Sequence, residues 1–253
     1  MTTTLPPWCR VVRAENPGPM TLEGTNTYVL STPAGNVVVD PGPMLDDHLE
    51  TVAALGPVAV TLLTHGHPDH AESSSRFHAT TGAPVLARDP AWCLDGDPLD
   101  DDGAPIDVPG LDLRVLHTPG HTADSVSFTV SSGGVAGVLT GDTILGRGTT
   151  VVAHPDGRLG PYLDSLARLR ELGAVLLLPG HGPVRQDVAA MAAEYIAHRA
   201  ERLAQVRAAL AAGAATPRDV VEAVYADVDR SLWPAAELSV RAQLDYLAEE
   251  DVS

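Results

Sequence analysis

The chain of 253 residues contains no lysine. All 16 of its basic residues are arginines, set against 33 acids, for a net charge of −17 at pH 7. Nucleic-acid binding rests on basic residues that neutralise phosphates and release counterions. The arginines here are scattered and most sit near acids, so no basic patch is legible. The charge therefore disfavours a nucleic-acid partner while leaving one open, and reads mainly as solubility. Cysteine is scarce too. Cys9 and Cys93 lie far apart and outside any C-x-x-C pattern, and read as reduced core or surface thiols. No apolar run approaches the roughly 18 residues of a membrane span. The opening "MTTTLPPWCRVVRAENP" has neither a basic n-region nor an apolar h-region. A cytoplasmic protein without a membrane partner is expected.

What is present suffices for one large domain, or one domain with a small appendage. Apolar residues make up 44% of the chain. At this size roughly three quarters of the unfolded surface is buried on folding. Short β-branched runs bounded by Gly, Pro and Asp read as strands: "TNTYVLST", "NVVVD", "VAVTLLTH", "PVLAR", "LDLRVLHTPG", "SVSFTVSS", "VAGVLTGDT" and "AVLLLPGHG". Helices are predicted over 43–56, 71–82 and 162–173, each closed by a glycine. The alternation predicts an α/β fold with mixed sheets and outer helices. From Asp187 the pattern turns helical, with one long helix to Gly213 and two more opened near Thr216-Pro217 and Pro234. Residues 1–195 are taken as a catalytic domain and 196–253 as a helical appendage.

The densest chemistry lies in "LLTHGHPDHAESS", residues 62–74. A strand ends where His65 begins. In extended chain residues two apart point the same way, so His65 and His67 project together. Pro68 keeps His67 out of helical geometry and suits a helix start, placing Asp69 and His70 in a first turn. Four such side chains at one strand end would crowd polar groups without a partner. Imidazole and carboxylate suit zinc, iron or manganese. Three more candidates close strand-like runs: His121 in "LHTPGHT", Asp142 in "VLTGDT" and His181 in "LLLPGHGP". Their glycines permit tight turns, and ligands in α/β sheets gather beyond the strands' carboxyl ends. Five histidines and two aspartates are too many for one tetrahedral zinc and suit two metals sharing a carboxylate.

The motifs "THGHPDH", "TPGHT", "TGD" and "PGHG", in this order and spacing, resemble the metallo-β-lactamase superfamily over about residues 20–190. The resemblance implies a four-layer αβ/βα sandwich with a binuclear site at one edge. It also implies one metal on His65, His67 and His121, another on Asp69, His70 and His181, and Asp142 as bridge. The bridging aspartate and the missing signal argue against a periplasmic β-lactamase. The stretches "LEGTNTYVL", "GDTILGRGTTVV", "PYLDSLARLREL" and "YIAHRAER" resemble a branch containing a mitochondrial single-strand endoribonuclease, polyketide-releasing thioesterases and uncharacterised bacterial hydrolases. That branch carries a C-terminal winged-helix-like unit. Here "AESS" stands where a glycine pair is usual, and the sequence ends at "YLAEEDVS", about where a wing hairpin would follow. The appendage is therefore expected to be only partly winged-helix-like.

Other residues carry weaker signals. His198 and Arg199 form the branch's "HR" pair on the long helix and are candidate substrate contacts, with Thr149 of "LGRGTT". That turn lacks the lysine and spacing of a P-loop and is expected to form a pocket wall. His117 resembles a family position that packs beneath the site, while His48 and His78 are expected to lie on helix surfaces and His154 to sit in a loop. "LDGDPLDDDG" (94–103) fails EF-hand spacing and reads as a solvated loop. Thr64 and Thr140 are candidates for orienting imidazoles. The expected reaction is hydrolysis by a hydroxide held on two metals, zinc by default, with Asp69 also accepting a proton. The expected substrate is a small ester or thioester, free or carrier-bound. Glutathione thioesters, cleaved as in glyoxalase II, single-stranded RNA, and a non-catalytic metal-binding role are the alternatives.

Overall fold

A computed structural model describes residues 4–250. The first sheet has the order β1 (Cys9–Arg13), β2 (Asn26–Thr32), β3 (Gly35–Val39), β4 (Val58–Leu62), β5 (Val85–Leu86). Its first three strands are antiparallel, while β3, β4 and β5 run parallel. The second sheet is β6 (Asp112–His117), β7 (Val126–Ser132), β8 (Val135–Gly141), β9 (Leu176–Pro179). It is antiparallel until β9, which joins β8 in parallel.

Alternation within strands builds the layers. Tyr28 and Leu30 of β2, Val37 and Val39 of β3 and Leu62 of β4 point inward. They meet Leu113, Val115, Phe128, Leu139 and Leu178 of the second sheet in one core. The intervening Val29 and Val38 face outward onto Leu49 and Val52 of α1 (Asp46–Ala53) and Phe77 of α3 (Ser74–Thr81). On the opposite side Val138 and Leu177 pack under Tyr162, Leu166 and Leu169 of α4 (Leu159–Glu171) and under α5 (Val188–Ala211). The result is the expected four-layer αβ/βα sandwich. Each fully buried Leu or Phe contributes roughly 1.5–3 kcal/mol, and truncating one such as Leu62 to alanine costs about 2–5 kcal/mol.

Asp187 caps α5 by accepting from the Ala190 amide, and the helix continues through residues 195 and 196. A capping box of Thr216 and Asp219 opens α6 (Pro217–Val224), and α7 (Trp233–Glu250) follows. Val220, Val221, Trp233 and Val240 share the core of α4 and α5, so these helices are packed against the sandwich. Among the described residues no strand follows β9, and no helix is long and apolar enough to cross a membrane.

Three expectations are corrected. His48 is not on a helix surface: it is buried, with its ring 2.8 Å from the Thr27 hydroxyl. The helix expected over 71–82 is two, α2 (Pro68–Ala71) and α3, parted where the buried Ser73 hydroxyl donates to the Gly42 carbonyl. Strand β1 has no counterpart among the expected runs, because "CRVVR" exposes Arg10, Val11 and Arg13 along a sheet edge. The acidic 94–103 segment is the solvated loop that was expected, with most of its residues exposed. Asp100 pairs with Arg88, and Asp102 lies 2.7 Å from Arg168.

Candidate metal centre

The parallel strands deliver their carboxyl ends to one edge, and the candidate ligands collect there. Beyond β4 the chain reaches Thr64 and His65, then His67 in extended backbone. Pro68 starts α2 and carries Asp69 and His70 into its first turn. The remaining candidates come from loops after β6, β8 and β9. Gly141 and Gly180 make the close approach possible. A Cβ on Gly141 would stand 2.4 Å from the Thr64 Oγ1, and one on Gly180 would stand 2.7 Å from both Asp142 Oδ1 and His70 Cε1.

All seven expected residues meet. His67 Nδ1 lies 3.1 Å from His65 Nε2 and 3.0 Å from His121 Nε2. A second group has His70 Nε2 3.2 Å from His181 Nε2, which is 3.1 Å from Asp69 Oδ2. Asp142 stands between them. Its Oδ1 is 3.4 Å from His181 Nε2 and 3.5 Å from His70 Nε2, and its Oδ2 is 3.8 Å from His121 Nε2. Donor atoms of His65, His67 and His121, of His65, His70 and Asp142, and of Asp69, His70 and His181 each lie within 4.8 Å of one another.

The backs of the rings fix their tautomers. His121 Nδ1 is 2.6 Å from the Val151 carbonyl and His181 Nδ1 is 3.3 Å from the Gly24 carbonyl. A carbonyl only accepts, so both Nδ1 atoms carry the proton. His70 Nδ1 donates to Asp40 Oδ2 at 2.8 Å. The Thr64 hydroxyl donates to the same oxygen at 2.7 Å, leaving its own oxygen to accept from His65 Nδ1 at 3.1 Å. Four Nε2 atoms are thereby aimed at the centre. Asp142 Oδ1 is buried and has no hydrogen-bond partner. Nitrogens about 2.0–2.1 Å from a shared metal would sit at close to these spacings. Imidazole nitrogens converging beside an orphaned carboxylate oxygen fit metal cations.

Electrostatics divides the cluster. Burial, with cationic neighbours, pushes His65 well down and His121 down to about 4. Burial acts the same way on His70 and His181, but the aspartates outweigh it. Asp142, Asp40 and Asp69 hold His70 well above its ordinary value, and Asp142 and Asp69 lift His181 to about 9. Burial alone would raise Asp142, yet His181 and His70 hold it well below the usual carboxylate range.

The remaining expectations separate. His198, Arg199 and Thr149 line a cavity of about 210 Å³ that His121 and Asp142 also line. The "LGRGTT" turn forms part of its wall, as expected. His117 lies outside the cluster, its ring donating to the Leu99 carbonyl at 3.0 Å. His154 faces Asp245 at 3.0 Å. Thr140 does not orient an imidazole; its hydroxyl donates to the Ile144 carbonyl. Asp40 was missed. Its signal was a strand run ending in aspartate before Pro-Gly, "NVVVDPG".

Comparison with known proteins agrees with this geometry. The family model of the metallo-beta-lactamase superfamily matches residues 20–181, and that of the beta-lactamase associated winged helix domain matches 216–252. The chain is 32% identical to a beta-lactamase-like protein 2 homolog of Caenorhabditis elegans, over 95% of this chain and 84% of the relative. It is 34% identical to an atrochrysone carboxyl ACP thioesterase of Aspergillus chevalieri, over 87% and 74%. A metallo-beta-lactamase family protein of Thermus thermophilus superposes with a TM-score of 0.81 at 26% identity, covering 98% of this chain and 95% of that one. With its sandwich and its histidine–aspartate cluster, the chain belongs to the metallo-β-lactamase superfamily, as a hydrolase of that fold.

Proposed function

We propose that the chain is a two-metal hydrolase of small esters or thioesters, including acyl groups carried on a thiol. The observation that carries this reading is Asp142, whose two oxygens face different histidine groups and whose Oδ1 has no other partner. His65, His67 and His121 would hold one ion, Asp69, His70 and His181 the other, and Asp142 both. Zinc suits this donor set, and iron or manganese would also be accepted. Such a metal pair, when bound, lowers the pKa of water toward about 7 and polarises a substrate carbonyl.

The chain's own groups do the rest. Asp40 and Thr64 hold two imidazoles in the donating orientation. Asp69, the most exposed carboxylate of the cluster at 27%, would take a proton from the attacking water. His198, Arg199 and Thr149 would position the substrate in the adjoining cavity. Residues 1–195 would supply the chemistry, and the helices of 196–253 one wall of the substrate site. The acidic surface suits a small substrate and a cytoplasmic setting. The likeness to a protein named an acyl-carrier-protein thioesterase supports the thioester class.

Elemental analysis of protein purified without chelator should find about two metals per chain. Kinetics on a panel of thioesters, cyclic phosphates and labelled single-stranded RNA should then show thioester turnover. A stoichiometry that stays below one under metal-replete conditions would refute the shared carboxylate. RNA cleavage without thioester turnover would replace the substrate class.

A further inference from the structure

Beside the cluster the sign of the charge reverses. The whole chain has twice as many acids as arginines, 33 to 16. Among the described residues, the cavity next to His121 and Asp142 is lined by three arginines, Arg147, Arg199 and Arg202, and by one carboxylate, Asp142. Glu23 matches Arg147. Among the described residues no carboxylate oxygen lies within 4.0 Å of the Arg199 or Arg202 guanidinium.

Arg199 is 2% exposed. It donates to the Thr150 carbonyl at 2.5 Å and stacks over the Tyr162 ring, and its buried Nε–H has no partner. Arg202 shares that helix face at the i+3 position. Its Nη1 donates to Gln205 and the Val224 carbonyl, and its guanidinium covers Tyr225. Its Nε donates to His198 Nε2 at 3.4 Å. Nε2 is thus an acceptor, and the His198 proton belongs on Nδ1, which is buried without a partner. A buried cation without an anion is costly, and so is a buried donor without an acceptor. Both unmatched donors belong to residues that line the same cavity as His121 and Asp142.

We infer that this cavity is an anion subsite: the substrate carries, besides the bond that is cleaved, an oxyanion group bound by Arg199, Arg202 and His198. The inference rests on the hydrolase reading above and narrows its substrate class. Guanidinium matches carboxylate and phosphate alike. The anion belongs either to the acyl group, as a terminal carboxylate, or to the thiol carrier, as a phosphate.

Matched thioesters separate the two sources. With metal-replete protein, succinyl and butyryl thioesters of N-acetylcysteamine test an acyl carboxylate, and butyryl thioesters of coenzyme A and N-acetylcysteamine test a carrier phosphate. One charged substrate should exceed its neutral partner in kcat/KM by tenfold or more. Arg202→Gln should bring that ratio below about threefold. Arg199→Lys tests the buried position, but Arg202→Gln, on the half-buried residue, is the safer probe should that variant misfold. Glutarate titrated calorimetrically into the same metal-replete proteins should bind at least tenfold more weakly to Arg202→Gln than to the wild type. Charged and neutral substrates cleaved equally, or a preference that Arg202→Gln leaves intact, would overturn the subsite. If two metals bind but no thioester turns over, the thioester reading fails, and the glutarate comparison still decides the subsite.

Discussion

Asp40 and Asp142 occupy corresponding places in the two halves of the sandwich. Each lies just past a strand, β3 or β8, that pairs in parallel with the next strand toward the cluster. Their surroundings differ in one respect. Asp40 is engaged at both oxygens, accepting from the Thr64 amide, the Thr64 hydroxyl and His70 Nδ1. Asp142 lies among three imidazole nitrogens at 3.4–3.8 Å, and its Oδ1 has no hydrogen-bond partner. A carboxylate with both oxygens engaged supports its neighbours, while one left with an open oxygen can hold a cation. Satisfaction of hydrogen bonds separates the two roles where position and residue type do not.

The largest effect should therefore follow Asp142→Ala. Losing the shared carboxylate leaves two cations to repel each other and each short of a ligand. Metal content should fall to one ion or fewer per chain, and kcat/KM by about 10³ or more, as for removal of a major electrostatic group. Asp40→Ala should come next. It leaves every donor in place but frees the His70 ring and orphans the Thr64 donors. Metal affinity should drop about 10–100-fold, with a clear loss of thermal stability in the metal-free protein. Thr64→Val should cost less again, roughly tenfold in affinity, because Asp40 still holds His70 and only the orientation of His65 is lost. Metal titration and activity on the three variants measure the order. Equal metal loss in Asp40→Ala and Asp142→Ala would erase the distinction between support and ligand.

The sequence revealed these parts unequally, for a physical reason. His65, His67, Asp69 and His70 are local to one strand-to-helix junction, so their convergence follows from backbone periodicity and the proline. His121, Asp142 and His181 were visible as strand ends with glycines, but sorting them into groups needed the family resemblance. Asp40 escaped because its partners lie 24 and 30 residues away, across parallel strands. His48 was misread for the same reason: a polar residue on a short helix resembles a solvated one until β2 brings Thr27 against it. The unmatched charge of Arg199 and Arg202 was also out of sight. Sequence shows which acids are near in the chain, and folding decides which are near in space.

A third polar strand end yields the smallest effect and sharpens the comparison from outside. His117 closes β6, yet its ring turns from the cluster to the Leu99 carbonyl, and its amide donates to Asp102. His117→Ala should keep about two metals per chain and full activity, and cost roughly 1 kcal/mol for one partly exposed hydrogen bond. The neighbouring Asp102 offers a pH check. Burial would raise its carboxyl, but the His117 amide and Arg168 outweigh that and hold it below the usual carboxylate range. A depressed folded value means that the carboxylate stabilises the fold above its unfolded pKa of about 3.9. That contribution disappears as pH falls through the folded value. Because both partners are more than a third exposed, solvent screening limits it to below about 1 kcal/mol. Thermal melts of wild type and Asp102→Ala should thus differ slightly at pH 7 and converge at the acid end. His117→Ala keeps the backbone donor to Asp102 and should leave that convergence unchanged. Loss of metal in His117→Ala would instead place this strand end within the cluster and break the rule drawn from Asp40 and Asp142.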